Sequence, residues 1–204
     1  ELKTPLHAIS GYAELLENGM VRTEDIKPFA GKIRAESARM ARLVEDIIDL
    51  TKLDNGGAEM TWEDCDLYRI AENAMDSLMT TAEAEKVTLI LSGSHAVVYG
   101  VPQQLYSIVY NLCDNAIKYH KANGKVWIRV NQDASGVTLQ VQDNGIGIPE
   151  DCQDRIFERF YRVDKSRSKA AGGTGLGLSI VKHAVLIHKA NIRVRSKLGL
   201  GSEF

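Results

Sequence analysis

Asn111-Leu-Cys-Asp-Asn115-Ala-Ile-Lys118-Tyr119 is the first of four short motifs that decide the fold of this chain. Three more follow in order: Asp143-Asn-Gly145-Ile-Gly147-Ile148, Phe157-Glu-Arg-Phe-Tyr-Arg162 and Gly173-Thr174-Gly175-Leu176-Gly177-Leu178. A single Gly-x-Gly is weak evidence, because glycine occupies tight turns of every kind. Four such pieces in one order, each with polar partners, are strong evidence for one composite site.

The segments around these motifs predict an α+β fold. Residues 102–119 carry a helical apolar stripe, whereas residues 126–130 and 137–141 alternate as antiparallel strands. Such a mixture favours a layer sandwich with helices on one face of a mixed sheet. The remaining predicted elements are helices over 66–86 and 176–186 and strands over 87–91, 96–99 and 191–196.

Upstream, residues 1–54 predict a helical hairpin, joined by a linker over 55–60 to a second domain over 61–204. Both hairpin helices carry apolar stripes, and the second repeats at every seventh residue, as in a helical bundle. Two helices cannot bury such stripes, so we expect a dimeric four-helix bundle. Packing against the rest of its own chain is the alternative. The stripes are Leu2, Leu6, Ile9, Ala13 and Leu16, then Ile26, Ile33, Met40 and Ile47.

Composition excludes several classes of protein. The 204 residues carry a net charge of -2 with mixed signs, so no nucleic-acid or membrane-surface footprint is expected. No stretch approaches the roughly 20 apolar residues of a membrane helix, and no signal peptide opens the chain. Cys65, Cys113 and Cys152 lack metal-ligand spacing and fit a reducing compartment as packed or surface thiols. Glu1 enters a helical pattern directly and Phe204 follows a turn, so we expect both ends to be cut.

The first motif suits a Mg²⁺–triphosphate group. Asn111 and Asn115 lie four residues apart, so both amides face one side of a helix, close to Lys118. Mg²⁺ takes oxygen ligands and is usually shared with phosphates. Two surface asparagines are the alternative, although asparagine is a poor residue for a helix interior.

The second motif suits a nucleotide base. Asp143 follows an apolar strand, where its carboxylate could accept a hydrogen bond from an exocyclic amine such as N6 of adenine. Gly145 and Gly147 let the backbone approach a ring closely. An Asp-Asn-Gly hairpin turn is the alternative, but Ile146 and Ile148 continue an apolar wall that a solvated turn does not require.

The last motif suits an anion. Glycine-rich backbone before a helix presents N–H groups to phosphate. The motif lacks the ending of a P-loop and the preceding strand of a dinucleotide site. Residues 163–172, polar and basic, predict a mobile lid over the nucleotide; a surface loop is the alternative.

In this order the motifs resemble the N box, first glycine box, F box and second glycine box of bacterial sensor histidine kinases, whose ATP-binding fold is shared with gyrase, Hsp90 and MutL. Glu1-Leu-Lys-Thr4-Pro5-Leu6 resembles the segment just after the family's phosphoacceptor histidine, which would therefore precede Glu1. His7 does not match that position and is interpreted as a surface residue. The same interpretation applies to His95, His120, His183 and His188.

The resemblance implies ATP and Mg²⁺ as cofactors. Asn115 would hold Mg²⁺ with help from Asn111, and Tyr119 would lie near the adenine or ribose. Asp143 would recognise adenine. Phosphate contacts would come from Lys118 and Arg162, and the rest of the nucleotide site from Gly145, Gly147, Ile148, Gly173, Thr174, Gly175, Leu176, Gly177 and Leu178.

The resemblance also implies catalytic roles. ATP-hydrolysing relatives have an acid at position 111 that activates water; an amide there cannot act as that base, which fits phosphoryl transfer to a histidine. Glu1 would be the general base that orients the imidazole. Thr4 would position water in a phosphatase reaction on the partner. First-turn helix chemistry is the alternative for Glu1 and Thr4.

The function expected from the sequence is a dimeric histidine kinase core whose partner is a response-regulator receiver domain. It would be the cytoplasmic part of a protein anchored in the bacterial inner membrane through segments upstream. A nucleotide-binding signalling scaffold with little or no kinase activity is the second hypothesis. An ATPase machine of the gyrase or Hsp90 type is the third.

Overall fold

The computed structural model describes residues 2–54, 60–134, 136–164 and 173–204. Contacts between backbone positions divide the chain into two compact units, Glu1–Thr51 and Lys52–Phe204. Glu1, residues 55–59 of the predicted linker and residues 165–172 of the predicted lid lie outside the described residues.

The first unit is a helical hairpin, as predicted. Helix α1 spans Lys3–Glu17 and helix α2 spans Ile26–Asp54, with a short 3-10 helix over Thr23–Asp25 between them. Helix α1 ends at the Asn18-Gly19 pair. The Asn18 amide donates to the Glu14 carbonyl at 3.0 Å, and Gly19 adopts a φ of +61°. Glycine adopts this left-handed conformation without the steric cost of a side chain.

The hairpin buries only part of its apolar surface. Leu43 and Leu50 are buried, and Tyr12 packs edge-on against Phe29 with ring centroids 5.6 Å apart. The predicted heptad stripe lies mostly at half-buried positions, and beside it Val44 and Ile48 are 42% and 44% exposed. A single hairpin therefore leaves apolar side chains open along α2.

The second unit contains seven strands and three helices among its described residues. Five strands form a mixed sheet in the order β2-β4-β5-β7-β6, in which β2 and β4 are parallel and the other pairs are antiparallel. Strands β1 and β3 form a separate antiparallel pair. The elements are β1 (Glu63–Asp66), α3 (Leu67–Ala84), β2 (Thr88–Gly93), β3 (Val97–Gly100), α4 (Pro102–Lys118), β4 (Lys125–Asp133), β5 (Gly136–Asp143), α5 (Gly177–Ile187), β6 (Arg195–Lys197) and β7 (Gly201–Glu203), with a short 3-10 helix over Glu150–Cys152.

One face of this sheet forms the core. Val126, Ile128 and Val130 alternate along β4, are 0% exposed, and belong to one cluster with apolar side chains of α3, α4 and α5. Arg129, which lies between Ile128 and Val130, donates to the side chains of Gln140 and Gln142 at 3.2 Å each. Because successive side chains of a strand point to opposite faces, the polar trio covers the face away from the helices. The predicted layer sandwich is confirmed.

The structure corrects two element boundaries. Asp66 was expected to open a helix, but it ends β1 and caps α3, accepting backbone N–H groups of Tyr68 and Arg69 at 3.0 and 3.3 Å. Aspartate is a strong N-cap residue, and the acidic residues of β1 conceal its strand character. The strand predicted over 191–196 is shorter and begins later, as β6 over Arg195–Lys197, because β7 offers it only three pairing residues.

The three cysteines are free thiols. Cys65 and Cys113 pack in the core and Cys152 is half-buried. Burial, with a smaller effect of the nearby Asp114, raises the pKa of Cys113 to about 12. Within the described residues, no helix is both long and apolar enough to cross a membrane.

Candidate nucleotide site

Asp143 ends β5 as a partly buried carboxylate surrounded by backbone donors. Its Oδ1 accepts the N–H of Gly145 at 2.7 Å, and the backbone N–H of Ser202 also donates to the carboxyl group. Burial raises the pKa of Asp143, while these two hydrogen bonds and the charge of Lys121 lower it. The structure thus holds a carboxylate, with a raised pKa, at the position where the sequence predicts recognition of adenine.

Glycines let three backbone segments meet around this carboxylate. A Cβ atom on Gly145 would lie 2.4 Å from the carbonyl oxygen of Tyr119, and one on Gly147 would lie 2.1 Å from that of Lys197. On Gly201 it would lie 2.0 Å from the carbonyl oxygen of Asp143. Any side chain at these positions would displace backbone.

The β6–β7 hairpin contributes to the site in a way that the four motifs do not predict. Ser196 Oγ accepts the N–H of Ile148 at 2.8 Å and donates to the carbonyl of Gly201 at 2.8 Å. Gln153 donates to the carbonyls of Ile148 and Ser196 at 3.1 and 2.9 Å. These contacts fix the predicted site residue Ile148 through its backbone. The signal in the sequence is Gly199-Leu-Gly201-Ser202, a turn in which Gly201 permits close packing of backbone.

A cleft of about 350 Å³ opens beside Asp143 on the side of β6 and β7. It is bordered by polar residues that include Gln142, Arg195 and Glu203, and its described lining contains no residue of α4. Because the first motif lies on α4, this cleft is not the composite site that the four motifs predict. The motifs meet one another elsewhere, at Tyr119, Gly175 and Gly177.

Asn111 has a fixed amide orientation. Its Nδ2 donates to the backbone carbonyl of Ser107 at 2.9 Å and to the Ser107 hydroxyl at 3.2 Å. Its Oδ1 therefore points the other way, and a Cβ on Gly177 would lie 2.7 Å from this oxygen. The first and fourth motifs consequently meet with an amide oxygen facing the start of α5.

The oxygen donors of α4 fit Mg²⁺. Asn115 lies one helical turn beyond Asn111 on the same face and is half-buried. Mg²⁺ prefers oxygen ligands and commonly shares them with phosphates. Among the described residues, no three histidine, cysteine, aspartate or glutamate side chains converge as a metal cluster.

Lys118 and Tyr119 end the first motif. The Lys118 ammonium is ion-paired with the Asp114 carboxylate, and the two side chains are 20% and 18% exposed. This partner of Lys118 is not predicted from the sequence. Tyr119 follows α4, and its carbonyl accepts the N–H of Ile146 at 3.1 Å. The first and second motifs therefore meet through backbone at Tyr119.

The third and fourth motifs also meet. The N–H of Phe160 donates to the carbonyl of Gly175 at 2.8 Å, and Phe160 adopts a φ of +62°. Arg162 donates through its guanidinium to the carbonyl of Gly173. These contacts join the segments on either side of residues 165–172.

Two leucines of the fourth motif anchor it by packing into the interior of the domain. Leu176 is 0% exposed, so it belongs to the core and does not line an open surface. Leu178 packs against the core between the helices and the sheet, and Thr174 Oγ1 accepts the N–H of Leu176 at 3.3 Å. Helix α5 then begins at Gly177. A helix N-terminus with adjacent glycines offers N–H groups to an anion.

The remaining predicted residues lie apart from these motifs in the chain. Thr4 is exposed in the first turn of α1, and His7 is exposed on the same helix. The interpretation of His188 as a surface residue is wrong: it is half-buried. Its Nε2 accepts the N–H of Val101 at 3.0 Å, and its Nδ1 is 2.7 Å from the carbonyl of Ala184.

Comparison with known proteins defines the class. The family described as "Histidine kinase-, DNA gyrase B-, and HSP90-like ATPase" matches residues 100–204, the stretch that contains all four motifs. The "His Kinase A (phospho-acceptor) domain" matches residues 1–56. With both domains in this order, the chain belongs to the bacterial two-component sensor histidine kinases.

Individual relatives agree with this assignment. The sensor-like histidine kinase SenX3 of Mycolicibacterium smegmatis is 37% identical over 205 residues, covering 100% of this chain and 53% of its own length. The structure of Acinetobacter baumannii histidine kinase AdeS has a TM-score of 0.81 at 22% identity, covering 100% of this chain and 94% of that one. Histidine kinase ThkA, solved in complex with response regulator protein TrrA, has a TM-score of 0.77 at 19% identity. The match covers 100% of this chain and 57% of the ThkA chain. These two structures support the fold. The chain spans about half the length of SenX3.

Proposed function

We propose that this chain is a catalytic core that transfers the γ-phosphoryl group of ATP to a histidine immediately before Glu1. The phosphoryl group then passes to an aspartate of a response-regulator receiver domain. The observation that carries the proposal is Asn111, an amide whose oxygen is turned toward Gly177 by the hydrogen bonds to Ser107. An amide binds and orients but cannot remove a proton from water, so the site favours transfer over hydrolysis.

Asp143 binds the adenine end of ATP. Its ionised carboxylate accepts a hydrogen bond from the adenine amine, while Gly145 and Gly147 admit the ring beside the backbone. Burial raises the pKa of Asp143, so the acceptor form is lost as the pH falls through that pKa. This end of the site supplies selectivity for the base.

The phosphate end of the site neutralises and orients charge. Arg162 and the N-terminus of α5 bind phosphate oxygens, and Asn111 and Asn115 would hold Mg²⁺, which neutralises phosphate charge when bound. Lys118 reaches a phosphate only by exchanging or sharing its Asp114 partner. Catalysis by such a site rests on positioning and electrostatics.

The acceptor lies on the helical hairpin. Glu1 orients the preceding histidine as general base, and Thr4 positions water for dephosphorylation of the regulator. The exposed apolar side chains of α2 support a homodimer formed through the hairpin. ThkA, which shares this fold, was solved with a response regulator, and we propose a receiver domain as the partner here. Segments upstream would anchor the protein in the inner membrane, leaving this part in the cytoplasm.

A test is to extend the chain upstream through the residue before Glu1 and incubate it with γ-labelled ATP and Mg²⁺. The proposal predicts label retained on the protein at up to one phosphoryl group per chain, with little steady-state phosphate release. Nucleotide binding without retained label would favour the scaffold. Continuous phosphate release without retained label would favour an ATPase machine. The matched control is the same extended chain with Asp143→Asn, which should retain little label.

A further inference from the structure

Three hydrogen bonds connect the segments around Asp143 into a closed ring. The carbonyl of Tyr119 accepts the N–H of Ile146 at 3.1 Å, and the carbonyl of Ile146 accepts the N–H of Gly199 at 2.6 Å. The Lys121 ammonium then donates to the carbonyl of Gly199 at 2.8 Å. Because Lys121 follows Tyr119 by two residues, the ring returns to its starting segment. It joins the α4–β4 loop, the second motif and the β6–β7 turn.

The β6–β7 turn depends on such hydrogen bonds because it packs few apolar side chains. Leu198 and Leu200 are 64% and 66% exposed. The strand that follows this turn carries Gly201 and Ser202, and Ser202 donates its N–H to Asp143. Displacement of the turn would therefore move a donor to the carboxylate. Lys121 contributes a side-chain bond that holds the turn in place.

Lys121 also places a positive charge near Asp143. Its charge lowers the pKa of Asp143, against the larger effect of burial, which raises it. Arg195 and Lys197 of β6 and Glu203 of β7 line the adjoining cleft, with Arg195 3.6 Å from Glu203.

We propose that Lys121 is a positioning residue for the adenine end of the site, closing the hydrogen-bond ring that holds the β6–β7 turn beside Asp143. The inference rests on the proposed function, since it takes Asp143 to be the group that binds adenine. Lys121 does not itself contact the nucleotide. A lysine or arginine at position 121 should therefore be interchangeable, whereas an apolar side chain of the same length should not.

The test compares Lys121→Met, Lys121→Arg and the matched control Lys189→Met, an exposed lysine just past the end of α5. Affinity for ADP with Mg²⁺ is measured by calorimetry on the whole chain. Because the Lys121–Gly199 hydrogen bond is exposed, its loss predicts roughly two- to fivefold weaker binding for Lys121→Met. Lys121→Arg should bind within about twofold of the unaltered chain, and Lys189→Met should bind equally well.

Two further readouts separate positioning from general stability. Amide hydrogen exchange at Gly199 should accelerate in Lys121→Met, because its segment loses a tether, while the thermal midpoint stays unchanged. ADP affinity should also be lost at a higher pH in Lys121→Met than in the unaltered chain. The sign follows from the charge: removing a cation raises the pKa of Asp143 further, so the carboxylate protonates earlier as the pH falls.

The outcomes are distinguishable. If Lys121→Met binds ADP as tightly as Lys189→Met, or if Gly199 exchange does not change, the positioning role is wrong while the proposed function stands. If Lys121→Arg is as weak as Lys121→Met, the role attributed to the donor and charge is wrong. If the unaltered chain binds no ADP, the proposed function fails, and this inference fails with it.

Discussion

In the sheet domain, Val126, Ile128 and Val130 are 0% exposed and pack into a core that one chain completes by itself. In the helical hairpin, Val44 and Ile48 are 42% and 44% exposed, although the heptad pattern places them near a helix-packing stripe. Buried apolar area is the main source of folding free energy. The difference indicates that the nucleotide-binding unit completes its own core, whereas the hairpin by itself leaves apolar side chains of α2 exposed.

Glycines show the same contrast. In the sheet domain a Cβ on Gly147 or Gly201 would meet backbone at 2.1 or 2.0 Å, so each glycine is needed for the site to assemble. In the hairpin a Cβ on Gly11 or Gly31 would meet nothing within 4 Å. One unit uses glycine for close approach of backbone segments, and the other tolerates it inside helices.

The largest expected effect is on the core of the sheet domain. Ile128→Ala should lower the free energy of unfolding by about 2–5 kcal/mol, because a fully buried side chain leaves a cavity. The matched change Ile48→Ala in the hairpin should leave that value unchanged. Urea unfolding followed by tryptophan fluorescence separates the two, since both tryptophans, Trp62 and Trp127, lie in the second unit. Equal losses for both variants would contradict the contrast between the units.

Asp143→Asn should remove most nucleotide affinity without unfolding the domain. An amide keeps the size of the side chain, but it removes a charged acceptor, so roughly 10–100-fold weaker ADP binding is expected. Calorimetry measures the affinity, and tryptophan fluorescence verifies the fold.

The same pair of proteins gives a pH test. Burial raises the pKa of Asp143 in the folded chain, so the affinity of the unaltered chain should fall as the pH decreases through that pKa. Asp143→Asn has no carboxyl group there, and its weaker affinity should be flat over the same range. If the ADP affinity of Asp143→Asn still falls as the pH decreases, a group other than Asp143 controls that loss.

Ile48→Glu should weaken self-association of the hairpin by about tenfold or more, because it places a charge on a surface expected to be buried between copies. Sedimentation at several protein concentrations should show dissociation into monomers, with unchanged tryptophan fluorescence. Arg42→Glu, at another exposed position of α2, is the control. A chain that is monomeric before any substitution would contradict the four-helix bundle.

The smallest expected effect is a gain in the stability of the hairpin. Gly31→Ala should stabilise the hairpin by up to about 1 kcal/mol, since alanine is the better residue in a helix interior and no atom blocks its Cβ. Helical circular dichroism during thermal unfolding measures it. Gly147→Ala, with a φ of +69° and backbone at 2.1 Å, should lose stability instead.

Local patterns predicted most of this fold. Helix α4 is predicted by its stripe of apolar residues, and strands β4 and β5 are predicted by alternating apolar and polar residues. In a half-buried helix or strand, apolar residues recur with the period of that element. Strand β1 was missed because Glu63, Asp64 and Asp66 hide it, and its pairing with β3 is a long-range contact.

The site was predictable where chemistry is encoded in one segment. The second motif predicts a close-packed polar turn from Asp143, Gly145 and Gly147. The spacing of Asn111 and Asn115 predicts that both amides lie on one face of a helix. The contributions of Ser196 and Lys121 could not be predicted, because each depends on a partner brought close by tertiary structure. The Lys121–Gly199 bond, for example, joins residues 78 positions apart.

The central claim is that the ATP site delivers a phosphoryl group to a histidine. The direct test examines the chemical stability of the label on the chain extended upstream of Glu1, after incubation with γ-labelled ATP and Mg²⁺. A phosphorylated histidine before Glu1 predicts label that is stable in base, labile in acid, and absent when the residue before Glu1 is replaced. Label that survives acid, or that persists after that replacement, would contradict it.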